Sequence, residues 1–197
     1  MTTTAMRSSL PPRNGSLMLA LVVGLLALPF AIAGCLFLFG WQPASTSNHG
    51  QLLNPPVPLP ASGLRAPDGR ALATADLSGK WLLLLSGSGP CDADCAARID
   101  EMRRIQVALN KDMGRVRRVV LSDQPGDAEL AAARQRQPDL LVAAAPPNWL
   151  PGAAGDTGFR LHIVDPQGLL VMDYPPDVAA KGVRADLERL LKFAWNG

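Results

Sequence analysis

The chain has 197 residues, of which 48% are hydrophobic and 18% are charged. This composition is too apolar for a disordered protein, and the length suits one domain of ordinary size with an additional segment. The formal net charge is +2, but from Asp68 onward the chain carries 16 basic and 17 acidic side chains, a net charge of −1. Because this part of the chain lacks a basic excess, we expect no nucleic-acid partner.

An uncharged apolar segment lies near the N-terminus. Residues 16–41 contain no charged side chain and are rich in Leu, Ala, Val, Ile and Phe, and about 20 such residues are enough to cross a bilayer. The segment predicts one transmembrane helix over 16–41, preceded by a short N-terminal segment, residues 1–15. A cleaved signal peptide is the alternative, because Ala31-Ile32-Ala33 has the form of a cleavage site, but the apolar region of a signal peptide is usually shorter.

The charges on either side of this segment predict its orientation. Arg7 and Arg13 precede it, and no Lys or Arg follows until Arg65. The positive-inside rule then places residues 1–15 in the cytoplasm. In a bacterial type of cell, this predicts a single-pass protein of the inner (cytoplasmic) membrane, whose C-terminal domain lies in the oxidising periplasm.

The remaining chain divides into a Pro-rich segment and a domain. Residues 42–62 predict an extended, semi-rigid tether, and residues 63–197 predict an α/β domain in which strands and helices alternate. Asp68-Gly69 predicts a hairpin turn between two short strands. Further strands are predicted over 81–85, 116–121, 159–164 and 169–174, helices over 92–110, 127–136 and 177–194, and residues 140–145 stay open between strand and loop. We therefore expect a mixed sheet flanked by helices.

Two cysteines, Cys91 and Cys95, lie where the first buried strand gives way to a helix. Residues four apart lie on one helix face, roughly 5 to 6 Å from each other, which is close enough to share one metal ion or, with Cys91 at the cap, to form a disulfide. The helix N-terminus stabilises a thiolate at Cys91, whereas Asp92 and Asp94 oppose it. The motif alone leaves open a structural disulfide, a redox-active dithiol and a Cu(I) site of two soft thiolates.

Three segments together resemble one protein family. The strand sequence Gly79–Leu85, the Cys91-x-x-x-Cys95 motif and the later Leu161–Gly168 segment resemble the SCO/SenC family of membrane-anchored copper-delivery proteins. The resemblance covers residues 62–195, and the single N-terminal anchor agrees with it. It implies a thioredoxin-like fold, copper held by Cys91 and Cys95, and a role in assembling the copper centre of cytochrome c oxidase. A subunit of the oxidase or its assembly factors would be the partner.

This chain lacks a histidine at the position of that family's third copper ligand. In the family, an Asp-His pair shortly before the later strand supplies a histidine, whereas this chain has Asp156 and Thr157 there. The chain has two histidines in all. His162 lies within a strand, where we expect a packed or hydrogen-bonded residue rather than a ligand, and His49 lies in the predicted tether, where we expect a loop or partner contact.

The sequence thus predicts a membrane-anchored periplasmic assembly factor for cytochrome c oxidase. Cys91 and Cys95 would bind or transfer Cu(I), or keep the thiols of a client protein reduced. Two alternatives stay open: a thiol-disulfide oxidoreductase with Cys91 and Cys95 as its catalytic redox pair, and a thioredoxin-like scaffold with a structural disulfide. The third cysteine, Cys35, is expected to be a small apolar residue of the membrane helix.

The predicted orientation can be tested with a reporter. Because Arg7 and Arg13 are the charged residues that precede the apolar segment, a periplasm-dependent reporter fused after Gly197 should be active. Its activity is measured in intact cells, beside a cytoplasm-dependent reporter at the same position as the control. A C-terminus protected from protease in intact spheroplasts would contradict the predicted orientation.

Overall fold

The computed structural model describes residues 15–40, 48–60, 62–72, 77–146, 149 and 158–193. The chain divides into two compact units, Met1–Thr46 and Ser47–Gly197. The first unit contains α1, a helix over Gly15–Leu38. This helix is long and apolar enough to cross a membrane, and its side chains are exposed. The segment predicted to span the membrane is therefore helical over most of its length, while Trp41 lies outside the described residues.

The second unit is an α/β fold built on one mixed sheet. Its described elements are β1 (Gln51–Pro58), β2 (Trp81–Gly87), α2 (Ala93–Ala108), β3 (Val116–Ser122), α3 (Ala128–Arg136), β4 (Leu141–Ala144), β5 (Phe159–Val164), β6 (Leu169–Asp173) and α4 (Ala180–Phe193). The strand order is β1-β6-β5-β2-β3-β4. β2, β3 and β4 run parallel to one another, whereas β5, β6 and β1 pair antiparallel. The predicted α/β fold with a mixed sheet is confirmed.

The central strand β2 is buried along its whole length. Successive side chains of a strand point to opposite faces of the sheet. Leu83 and Leu85 belong to one apolar cluster, together with residues of α2, α3 and α4. Leu82 and Leu84 belong to a second cluster, with apolar residues from the segment between β1 and β2. We call the first side the helix face and the second the loop face; the continuous apolar run of β2 follows from coverage on both faces.

The structure corrects the predicted tether over residues 42–62. Within it, Gln51–Pro58 forms the edge strand β1, which pairs antiparallel with β6 through Gln51 opposite Asp173 and Pro58 opposite Leu169. Proline suits an edge strand, because the ladder hydrogen bond that it cannot donate would face away from the sheet. A high proline content therefore did not distinguish a tether from a sheet edge. The hairpin predicted at Asp68-Gly69 is reduced to a turn with a single bridge between Arg65 and Ala71.

A buried carboxylate holds the start of β1 against helix α4. Asp186 on α4 is 1% exposed, and it accepts hydrogen bonds from the backbone N–H groups of His49 (2.8 Å) and Gly50 (3.0 Å). The Tyr174 hydroxyl donates a third hydrogen bond to Asp186, over 3.2 Å. Burial and the Asp186 carboxylate raise the pKa of Tyr174 far above its ordinary value, so its hydroxyl stays a donor. Gly50 is required here, because a Cβ would lie 2.6 Å from the Tyr174 ring.

Replacement of this carboxylate should destabilise the sheet domain. We call the three hydrogen bonds that Asp186 accepts from His49, Gly50 and Tyr174 the Asp186 clamp. Asp186→Ala leaves these three donors without an acceptor, and we expect a loss of about 2–4 kcal/mol in the free energy of unfolding. Urea unfolding of the full chain in detergent measures the loss. The matched control is Glu188→Ala, which removes an exposed i,i+4 ion pair with Arg184 on the same helix and should cost less than about 0.5 kcal/mol. Equal losses in the two variants would refute the clamp.

Candidate functional site

Cys91 and Cys95 lie at the N-terminal end of α2 and are joined by a disulfide. Asp92 is the N-cap residue of the helix, with an extended backbone. Its Oδ1 accepts a hydrogen bond of 2.9 Å from the Cys95 backbone N–H. This cap places Cys91 just before the helix and Cys95 in its first turn, with the two Cα atoms 5.2 Å apart. The predicted position of the pair at the start of a helix is confirmed.

The loop between β2 and the disulfide is held from two sides. Gly87 packs against β5, where a Cβ would lie 2.6 Å from the Phe159 ring and 2.7 Å from the Gly158 carbonyl oxygen. The Gly89 backbone N–H donates to Asp123 Oδ1 over 2.9 Å. Gly89 has a φ of +86°, a conformation that favours glycine. These contacts fix the path of the chain between the buried end of β2 and the disulfide.

The two cysteines differ in access. Cys91 is 7% exposed and Cys95 is 2% exposed, and both belong to the apolar cluster of the helix face. Both cysteines are therefore buried, and Cys91 is the slightly more exposed of the two.

A surface groove runs beside Cys95 along α2. Arg98 is one of its lining residues: it pairs with Glu101 and donates to the carbonyl oxygens of Pro176 and Val178, the second over 3.0 Å. These bonds tie α2 to the segment that follows β6. The groove is lined by Asp94, Cys95, Arg98, Arg104, Phe159 and Val178, among others. The disulfide thus adjoins a concave surface that could receive part of a second molecule.

His162 lies on the opposite face of the sheet from the cysteines. Its β5 neighbours Leu161 and Ile163 belong to the cluster that contains Cys91 and Cys95, whereas Val164 belongs to the cluster of the loop face. Alternation along the strand therefore turns the imidazole towards the loop face. The ring is fully buried, and its Nε2 lies 2.7 Å from the Ser86 Oγ. The prediction of a hydrogen-bonded strand histidine is confirmed.

The other side of this imidazole faces a carboxylate. His162 Nδ1 lies 3.0 Å from Asp173 Oδ1, and Arg160 donates to Asp173 Oδ2 over 2.5 Å. Burial by itself would raise the pKa of Asp173, but His162 and Arg160 outweigh burial and hold that pKa below its ordinary value. Ser86, His162, Asp173 and Arg160 thus form a polar network on the loop face.

Sequence reasoning missed this network, as well as the contacts of Arg98. The one available signal was the alternation in β5, where Arg160 and His162 occupy every second position of an otherwise apolar strand. The partners Ser86 and Asp173 belong to two other strands. Only the pairing of β5 between β2 and β6 brings them to the imidazole.

The remaining predicted residues do not complete a metal site around the sulfurs. His49 contacts Asp186 and sits over Gly182 of α4, Cys35 is exposed on α1, and Asp156 and Thr157 lie outside the described residues. Within the described part of the chain, no group of three or more His, Cys, Asp and Glu side chains could hold a metal ion. After reduction, the cysteine pair would supply two sulfur donors to copper, with no imidazole from the described residues.

Comparison with known proteins identifies the domain. The family model described as "Transmembrane-like, thioredoxin-like, C-terminal domain" matches residues 81–194. No curated protein sequence matches the chain.

Solved structures with the same fold include two Sco proteins. The apo Sco1 protein from Thermus thermophilus aligns with a TM-score of 0.57 and 24% identity, over 75% of this chain and 99% of that one. Arabidopsis thaliana ScoI with copper bound aligns with a TM-score of 0.54 and 16% identity, over 69% and 98%. A thiol:disulfide interchange protein from Bacteroides sp. aligns with a TM-score of 0.50 and 14% identity, over 71% and 91%. The predicted thioredoxin-like fold is confirmed, and the resemblance to SCO/SenC proteins is confirmed at the level of the fold.

The polar network makes stability depend on pH. Because the pKa of Asp173 is lower in the folded state than in the unfolded chain, its stabilising effect is present above about pH 4 and is lost as the pH falls through the folded-state value. Between about pH 5 and about pH 3, the wild type should therefore lose more unfolding free energy than Asp173→Asn. Urea unfolding across this range measures the difference.

The control for this experiment is Asp177→Asn, which changes an exposed carboxylate outside the network. It should show the acid dependence of the wild type. The same slope in all three proteins would mean that His162 and Arg160 do not stabilise the Asp173 carboxylate.

Proposed function

The chain belongs to the transmembrane-like, thioredoxin-like C-terminal domain family, and from this premise we propose that it is a membrane-anchored thiol-disulfide exchange protein that serves cytochrome c oxidase assembly. The observation that carries the proposal is the Cys91–Cys95 disulfide at the start of α2. In the proposed role, the reduced pair keeps the copper-binding thiols of a client protein reduced. The client is an oxidase subunit or one of its assembly factors.

The proposed exchange is a balanced two-electron reaction. The Cys91 thiolate attacks a client disulfide, one client sulfur leaves as thiolate, and a mixed disulfide forms. The Cys95 thiolate then attacks the Cys91 sulfur, releases the second client thiolate and closes the Cys91–Cys95 bond. The client gains two electrons and two protons, and a second dithiol protein outside the cytoplasm returns the pair to its reduced form.

The roles of the two cysteines follow from their positions. Cys91 is the more exposed of the pair and precedes the helix N-terminus, which stabilises a thiolate. Cys95 is the less exposed of the two and is bonded to Cys91, so it is suited to resolve the mixed disulfide. Cys91 is thus proposed as the attacking residue and Cys95 as the resolving one.

Copper, the metal that the family resemblance implies, fits the described residues incompletely. Two thiolates suit Cu(I), but a stable trigonal site needs a third donor. His162 faces the other side of the sheet and His49 is held beside α4. Copper delivery by Cys91 and Cys95 is therefore the competing outcome of the test.

The proposed location follows from α1 and the charges before it. The helix anchors the protein in the inner membrane, the N-terminus lies in the cytoplasm, and the sheet domain lies in the periplasm. A disulfide is stable in that compartment. There the domain would meet periplasmic segments of oxidase subunits.

The proposal is tested by trapping the client. In a background with Cys35→Ser, the variant Cys95→Ser should accumulate a mixed disulfide through Cys91, because no second thiol releases it, whereas Cys91→Ser should accumulate none. Diagonal electrophoresis and mass spectrometry of membranes identify the trapped protein. The matched control is Cys35→Ser with both site cysteines intact, which should trap little and support oxidase assembly.

Two further measurements separate the alternatives. A reduction potential above about −300 mV is expected for an exchanging pair, and a potential well below it, without mixed disulfides, would show a structural bridge. X-ray absorption at the copper edge on the reduced protein tests the copper alternative. Retention of Cu(I) by the wild type and its loss in either Cys→Ser variant would favour copper delivery over thiol exchange.

A further inference from the structure

We propose that the exchange site prefers client cysteines that carry a cationic side chain beside them, and that Asp92 and Asp94 impose this preference. This inference rests on the proposed thiol exchange and names the class of substrate that it accepts. Both carboxylates lie within the five-residue segment that the disulfide closes, and both residues are exposed. Asp92 directly follows Cys91 and Asp94 directly precedes Cys95, so both carboxylates lie close to the disulfide.

Within the described residues, neither carboxylate forms an ion pair with a cation. Asp92 is fixed at the helix start through its hydrogen bond with the Cys95 N–H, a dipolar group that leaves the negative charge in place. Asp94 has no hydrogen-bond or ion-pair partner among the described residues. Arg98, one turn further along, is committed to Glu101 and to two backbone carbonyls.

The other arginines that line the groove are either paired with a carboxylate or distant from Asp94. Arg160 is bound to Asp173. Arg104 follows Asp94 by ten residues on α2, which places it about 15 Å away along the helix axis. Two carboxylates without an ion-pair partner in the described residues therefore lie at the disulfide end of the groove, and Arg104 lies further along the helix.

Part of the groove wall is apolar. Phe159 and Val178 line the groove beside Cys95, and the Phe159 ring is packed against Gly87 of β2. A client segment can thus place an extended backbone along this wall while a Lys or Arg side chain next to its cysteine approaches Asp92 or Asp94. An acidic side chain at the same position would be repelled.

A charge on the client disulfide interacts with the carboxylates beside Cys91. Unlike charges raise the rates of encounter and of thiolate attack, and like charges lower them. Because the carboxylates are exposed, water and salt weaken the effect. We expect a cationic disulfide to react about fivefold faster than an anionic one of the same size at low ionic strength. The ratio should fall towards one at about 1 M salt.

The test uses three small disulfide probes and the full-length reduced protein in a neutral detergent. The probes are cystamine, which is cationic, 2-hydroxyethyl disulfide, which is neutral, and dithiodiglycolate, which is anionic. Exchange is quenched with an alkylating agent, and the oxidised fraction is measured by mass spectrometry. We expect the order cationic, neutral, anionic for the wild type.

The decisive variant is Asp92→Asn combined with Asp94→Asn. Asn is also a favourable N-cap residue, so the helix start is retained. This variant alters the reactivity of the Cys91 thiolate equally towards all three probes, so the ratio of rates, and not the rate itself, is the readout. The cationic-to-anionic ratio should fall to about one. The matched control Glu188→Gln, on the exposed side of α4, should keep the wild-type ratio.

The outcomes distinguish this inference from the proposed function. No reaction with any probe would overturn thiol exchange itself. Reaction at equal rates with all three probes would leave exchange standing and refute the charge preference. A preference that persists in the double Asn variant would refute the assignment to Asp92 and Asp94.

Discussion

The fold depends on the burial of β2 on both of its faces. A strand of apolar residues at the centre of a sheet is stable only where both faces are covered. Helices α2 and α4 provide one cover and the segment between β1 and β2 provides the other. Because β2 ends at Gly87 and α2 begins at Ala93, the disulfide lies in the short connection between the central strand and one of its covers.

The same two-sided arrangement decides which side chains meet the sulfurs. Ile163 and His162 are neighbours in β5 but point to opposite faces of the sheet. Ile163 packs in the cluster that contains the cysteines, whereas His162 lies among the polar groups of the loop face. The sheet itself stands between the imidazole and the disulfide. The imidazole is therefore kept away from the sulfurs, and His162 instead joins β2, β5 and β6 through Ser86 and Asp173.

Local features of the sequence could be predicted, and features that join distant segments could not. The apolar run at Trp81 and the cysteine spacing predicted β2 and the start of α2, because each signal lies within a few residues. β1 was predicted as tether, because its partner β6 follows more than a hundred residues later and proline obscures a strand. The Asp186 clamp joins residues 137 positions apart, and nothing near His49 indicates it.

Asp92 has two opposing effects on the site. As the N-cap, it satisfies the Cys95 N–H and so stabilises the helix start that brings the sulfurs together. As a carboxylate beside Cys91, it disfavours the thiolate by like-charge repulsion, and exposed Asp94 adds to the effect. A site that stabilises its thiolate is an oxidant, because its reduced form is favoured. Carboxylates at the helix start act in the opposite sense: they favour the disulfide over the thiolate form, and a dithiol so placed gives its electrons away more readily. In the proposed exchange, these two carboxylates therefore oppose the helix dipole at the sulfurs.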